Sequence, residues 1–282
     1  MEYKIKNDKI ELTCSSFGAE IISLKFKGRE CIWQNDNSSW TGHAPILFPI
    51  AGNIKTIING VTYPLLPHGF ARKMESKFLK MTANSLSFIY EANEETLKLY
   101  PFNFNLIIKY IIEDEQVKII FETKNLSKDE MYYSIGGHTS FALLSDVSNY
   151  EVMFNEKEKL NTHIMDRNGK LTGEEVLIND EGVLDLATPF LEDAKTVALF
   201  NLKSKRIVLK EKNGDNIASL EFNDFDYLLF WHPKGSHMIC MEPWHNHPDY
   251  LPDDIEFKDK DGIISLKQNE TRILSQTIKY FK

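Results

Sequence analysis

The chain has 282 residues, with 33 Lys+Arg against 41 Asp+Glu, a formal net charge of −8 and a pI near 5.6. Hydrophobic residues at 42% and charged residues at 26% exclude a disordered or collagen-like chain, and the acidic balance argues against nucleic-acid binding or anchoring on anionic lipid, both of which need cationic surface. No apolar stretch approaches the ~18 residues of a membrane span, the charged opening MEYKIKNDKIELTC does not read as a leader, and Cys14, Cys31 and Cys240 are too scattered for a C-x-x-C motif, so a protein of a reducing cytoplasm is expected.

In chain order, residues 9–14 alternate polar and apolar, as a half-buried strand does. Residues 106–112, 117–123, 205–210 and 272–280 read the same way and are rich in Ile, Val, Phe, Tyr and Thr, which suit a pleated surface. Asn59-Gly60, Asn168-Gly169, Asn213-Gly214 and Asp261-Gly262 tolerate positive φ and favour tight hairpins. Helical periodicity is scarce, with one short candidate at 155–160. The pattern predicts an all-β fold of antiparallel sheets, in one continuous domain over 1–282.

Several chemistries lack their scaffolds. The chain carries no G-x-x-x-x-G-K-[ST], no G-x-G-x-x-G after a strand, no H-E-x-x-H and no G-x-S-x-G. Three segments instead set a titratable residue beside Gly or Pro in apolar surroundings: Pro67-His68-Gly69-Phe70-Ala71-Arg72, Gly136-Gly137-His138 and Cys240-Met241-Glu242-Pro243-Trp244. Glu242 follows the apolar run 238–241, and a carboxylate there needs either a partner or a cavity, because an unpaired buried charge is costly. The two glycines before His138 allow a close backbone approach or positive φ, so its imidazole either faces a cleft or is a hydrogen-bonded core histidine. His245 and His247 would share a face on a strand, and a metal site with Glu242 or Asp249 can be drawn. Asn246 and Pro248 point to a loop there, no third ligand has diagnostic spacing, and no metal is expected. Trp33, Trp40, Trp231 and Trp244 offer flat apolar faces with a polar edge, which suit sugar rings as well as a core.

Taken in order, these segments resemble the aldose 1-epimerase (galactose mutarotase) superfamily, and its LacX-like branch most closely. The likeness runs from residues 16–24 through Cys31-Ile32-Trp33-Gln34, Leu47-Phe48-Pro49-Ile50-x-Gly52, His68-Gly69-Phe70-Ala71-Arg72 and Gly137-His138-x-x-Phe141 to Cys240-Met241-Glu242-Pro243-Trp244. The resemblance implies a β-supersandwich with an open cleft and interconversion of the α and β anomers of a free aldose, without a cofactor. It implies Glu242 as base, His138 as acid and His68 as a contact near the ring oxygen. Arg72, Trp244, Asn53 and, in the segment 190–193, Asp193 are implied substrate contacts. Asn53 stands where relatives often carry arginine, which counts against a sugar phosphate. The expected partner is a small sugar, with neither nucleic acid nor membrane, and the expected assembly is a monomer or homodimer. The competing readings are a non-catalytic carbohydrate-binding protein on the same fold and a hexose-phosphate epimerase.

Overall fold

A computed structural model describes residues 1–34, 40–193 and 195–281. Two large antiparallel sheets dominate. The first has nine strands, in the spatial order Val183–Asp185, Tyr150–Phe154, Arg206–Glu211, Asn216–Glu221, Thr271–Tyr280, Gln116–Asn125, Phe104–Glu113, Ser85–Glu91 and Lys77–Met81. Four of the five strands read from the sequence lie in this sheet. The fifth, Ile10–Ser15, belongs to a four-stranded N-terminal sheet with Glu2–Lys6, Ile21–Phe26 and Arg29–Glu30.

The second large sheet has eight strands. Leu171–Asn179, Leu160–Met165, Val197–Phe200, Tyr227–Trp231, Met238–Trp244, Gly136–Gly137 and Ile46–Leu47 follow one another, and Thr139–Ala142 also pairs with Met238–Trp244. Strand Met238–Trp244 is buried along its whole length, and alternation divides its side chains between two environments. Ile239 and Met241 point into the main core, with Phe121, Leu209 and Phe230. Met238 and Cys240 point the other way and pack with Trp33, while Trp244 packs with Leu47, Tyr227 and Leu229. Glu242, at the intervening odd step from the core, shares the second face. The neighbouring strand obeys the same rule, because Leu229 pairs with Glu242, Trp231 with Cys240 and Tyr227 with Trp244.

Three of the four glycine turns close hairpins, at 59–60, 168–169 and 213–214. Asp261-Gly262 instead joins the short helix Phe257–Asp259 to strand Ile264–Leu266. The helix expected at 155–160 is not formed. Asn155 Oδ1 accepts from the amides of Lys205 and Arg206, and the Glu158 carboxylate accepts from the Ser204 amide, so this segment is held as an irregular connection against residues 204–206. The α-helices among the described residues are Glu94–Leu99, whose start is fixed by an Asn93–Thr96 capping box, and the single turn Pro189–Glu192. No helix among the described residues is long and apolar enough to cross a membrane.

Candidate functional site

The face of the eight-stranded sheet that turns away from the main core forms a cavity of about 270 Å³. Glu242 and Leu229 line it from paired strands, and Trp244 and Trp231 stand on either side of them. His138 enters between strands Gly136–Gly137 and Thr139–Ala142. The two glycines serve close approach: neither has positive φ, but a Cβ on Gly136 would stand 2.6 Å from the Trp244 ring and one on Gly137 2.6 Å from the Gln276 side chain. The remaining wall comes from Trp40, Asn53 and His68 and from the 165–169 turn.

His138 and Glu242 meet here, 104 positions apart in the chain. Nε2 of His138 lies 3.2 Å from a carboxylate oxygen of Glu242, and both residues are buried, at 5% and 2% exposure. Burial pushes the Glu242 carboxyl well above the usual carboxylate range, and the Trp244 side chain opposes this only weakly. Burial, reinforced by His68 and Arg72, holds the His138 imidazole well below its usual range. Both shifts oppose charge, as desolvation does. Nδ1 of His138 is buried without a hydrogen-bond partner. Trp40 stacks on the His138 ring at 4.8 Å between centroids and 16° between planes.

His68 and Gly69 both have positive φ, and a Cβ on Gly69 would run into the Phe48 carbonyl, so glycine is required beside His68. The Gly52 amide donates to His68 Nδ1 at 3.2 Å, while the His68 amide donates to the Gly52 carbonyl at 2.9 Å. An Nδ1 that accepts leaves the ring proton on Nε2. Burial, then the charge of Arg72, pushes the His68 pKa down to about 3, so the ring stays neutral.

Five of the seven implied site residues therefore line one cavity, His138, Glu242, His68, Asn53 and Trp244, together with the tryptophans Trp40 and Trp231. Asn53 uses its amide to hold the Asn168 carbonyl at 2.8 Å, tying the 165–169 turn to the wall. Arg72 is not among the lining residues. Its Nη2 donates to the Pro67 carbonyl at 3.3 Å, and its charge is felt by half-buried Glu20, which accepts from the amides of His43 and Ala44. Asp193 lies outside the cavity lining, 60% exposed, and pairs with Lys195 at 3.0 Å. His245 and His247 do not converge as ligands. His245 Nδ1 contacts the Gly262 carbonyl at 3.0 Å, His247 Nδ1 contacts the Pro248 carbonyl at 2.7 Å, and Asp249 is taken by Lys170 and Lys260.

The sequence reading missed Met165, Asn168, Gly169, Thr196 and Leu229. Asn168-Gly169 was legible as a turn, but nothing local says that it rims a cavity. Leu229 is hidden inside an apolar run and is distinguished only by its register against Glu242.

Large antiparallel sheets with an imidazole–carboxylate pair held on one face under aromatic walls make this an all-β protein of the galactose mutarotase-like class. The aldose 1-epimerase family model matches residues 1–279, and the chain belongs to that family. It is 28% identical over 297 residues to the chromosomal LacX protein of Lactococcus lactis subsp. lactis, with 96% of each chain covered. Among solved structures it is similar to a galactose mutarotase related enzyme from Lactobacillus acidophilus, at 26% identity and a TM-score of 0.92 over 100% of this chain and 98% of that one. A galactose mutarotase-like protein from Lactobacillus casei ATCC 334 matches at the same identity and TM-score, with 100% of both chains covered. The membership carries a general sugar-epimerase assignment.

Proposed function

We propose that the protein interconverts the α and β anomers of a free, uncharged hexose, with Glu242 and His138 exchanging the protons of ring opening and closing. The observation that carries this reading is the 3.2 Å contact between the two side chains at the cavity. A volume of about 270 Å³ lies just under the ~300–1,000 Å³ usual for drug-sized ligands, which suits a monosaccharide. Trp40, Trp231 and Trp244 supply flat faces for the apolar sides of a pyranose. No Lys or Arg lines the cavity among the described residues, which favours an unphosphorylated sugar.

Ring opening removes a proton from the anomeric hydroxyl and delivers one to the ring oxygen. Glu242 takes the first as carboxylate, and His138 gives the second as imidazolium. The pair that remains is a neutral carboxylic acid and a neutral imidazole, with the same total of one shared proton. The two tautomers of one buried pair are thus the states before and after opening. Burial favours the neutral tautomer and so offsets part of the cost of the open aldehyde. Closure on the other face of the carbonyl returns both protons. Proton transfer of this kind contributes about 10²–10⁴-fold. His68, neutral and protonated on Nε2, donates to a sugar oxygen without competing for the catalytic proton.

The test is polarimetry or NMR on freshly dissolved α-anomers of several aldoses, with and without protein. Equilibration faster than the buffer rate supports the reading. Sugar binding with no acceleration of anomer exchange would leave a carbohydrate-binding protein instead.

A further inference from the structure

We propose that one thiophilic divalent cation, of which Zn²⁺ is representative, also binds through His138 and Glu242 of the cavity lining and the buried Cys240 next to them, and that the ion shuts down the proton-exchanging pair. The binding claim stands on geometry alone; the inhibition claim rests on the function proposed above.

Strand alternation sets Cys240 two residues from Glu242 on the same face, and Ser140, two residues after His138, pairs directly with Cys240 across the sheet. Ligand atoms of the three side chains all lie within 4.8 Å of one another, and all three residues are buried. They are the one such group among the described residues. One imidazole, one thiolate and one carboxylate are ligand types that Zn²⁺ accepts, and three protein ligands with a fourth position open is its reactive arrangement. Bonds of ~2.0–2.2 Å to nitrogen and oxygen make the edge of a tetrahedron about 3.3 Å, close to the 3.2 Å between His138 Nε2 and the Glu242 carboxylate. The sulfur, no more than 4.8 Å from either of the other two ligand atoms, has to close to about 3.5 Å to complete the tetrahedral edge.

One further observation suits a metal ligand. Cys240 sits fully buried against Trp33 and Met238, with Trp40 and Trp231 packed on the same cluster, a dry and polarisable setting for a metal–sulfur bond. The other two thiols differ. Cys31 donates to the Arg29 carbonyl at 3.3 Å, and Cys14 packs in the main core. Binding releases the thiol proton and the proton shared by His138 and Glu242, so one dication replaces two protons. A sugar needs the same two side chains, and ion and sugar therefore exclude each other.

The experiment is titration of EDTA-treated, desalted protein with Co²⁺ under anaerobic conditions. One equivalent is expected to produce a thiolate-to-cobalt charge-transfer band together with intense visible bands of four-coordinate Co²⁺, both bleached by Zn²⁺. Cys240→Ser is expected to lose the charge-transfer band and to bind Zn²⁺ at least about a hundredfold more weakly, beyond the 10–100-fold typical of an outer-shell partner; Cys14→Ser keeps both. A crystal soaked in Zn²⁺ gives a check independent of variants, with anomalous density between the three side chains. Absence of a saturable charge-transfer band, its persistence in Cys240→Ser, or density elsewhere overturns the site. Separately, Zn²⁺ is expected to suppress anomer exchange at least tenfold, reversibly with EDTA. Unchanged exchange in protein carrying one Zn²⁺ at this site overturns the inhibition, whereas Co²⁺ binding in a protein with no anomer exchange overturns the proposed function and leaves the metal site standing.

Discussion

One buried ionisable cluster lies in the cavity and another beside it, and they are built differently. Around Asp249, every oxygen has a partner. Lys260 donates to Oδ1 at 2.8 Å, and Oδ2 receives Lys170 at 3.3 Å and the Lys55 amide at 2.7 Å. Lys170 also reaches Asp253 at 3.0 Å. This cluster ties together residues 53–55, the 165–170 turn and the 249–260 segment, next to the lining residues Asn53, Asn168, Gly169 and Pro248. Around Glu242 the partners are few: one imidazole that itself has an unpaired nitrogen, and the indole of Trp244. A buried charge set that saturates its hydrogen bonds holds structure, while one left unsaturated at a cavity has capacity for a ligand.

Glu242→Gln is the largest break of this contrast. The amide keeps the shape and can still hydrogen-bond His138, but it cannot take a proton. Anomer exchange is expected to fall by about 10²–10⁴-fold, measured by polarimetry. Stability is expected to hold or to rise by a few degrees in Tm. The sign follows from linkage: a carboxyl whose folded pKa is raised costs stability at every pH above its unfolded value, and the substitution removes that cost at pH 7. His138→Asn is expected to lose a comparable factor in rate. A near-normal rate in either variant moves the proton chemistry elsewhere.

Asp249→Ala runs the opposite way. It leaves two buried ammonium groups without their shared partner, and removing one member of a buried ion pair costs about 3–5 kcal/mol. Tm is expected to fall by about 10 °C, read by thermal unfolding, and any surviving folded protein should keep its turnover more nearly than Glu242→Gln does. A loss of rate with unchanged Tm would make Asp249 part of the chemistry rather than of the scaffold.

The pH profile sharpens the same comparison. The His138–Glu242 pair is competent while it holds one proton between its partners. Burial makes the imidazolium give up its proton more readily, so the acid limb of activity should lie below the ordinary histidine range near 6.5. Burial makes the carboxylic acid hold its proton, so the alkaline limb should lie well above the ordinary carboxylate range near 4.5. The expected kcat profile is a plateau through neutral pH. A profile that rises through pH 6.5 as a single histidine titration would show the pair to be uncoupled.

The sheets were legible because period-two alternation survives wherever one face is wet or differs from the other, as in Phe104–Glu113 and Gln116–Asn125. Glu242 and His138 stood out locally, as a charge at the end of an apolar run and an imidazole after two glycines, but that left a structural role open for each, and only the family resemblance set them together. The 165–169 turn and Thr196 were not legible, since long-range pairing of Leu160–Met165 with Leu171–Asn179 and Val197–Phe200 brings them to the cavity. Asp193 lies in the right stretch of chain, but the helical turn Pro189–Glu192 ends there with its carboxylate in solvent, where Lys195 holds it below the usual carboxylate range.

The smallest expected effect belongs to His68. Its Nδ1 is spent on the Gly52 amide, and its role in the proposed reaction is one neutral hydrogen bond to the sugar through Nε2–H. A neutral hydrogen bond contributes about 0.5–1.5 kcal/mol, so His68→Ala should raise KM up to roughly tenfold with kcat little changed. The ring, with its pKa near 3, stays neutral throughout the working range, so this contribution should be flat in pH above about 5, unlike that of His138. Isothermal titration with a slowly equilibrating sugar, run on both proteins from pH 5 to 8, separates the two histidines: parallel affinity curves place His68 in binding alone, whereas curves that converge as pH falls would mean that His68 gains a proton and shares the acid role.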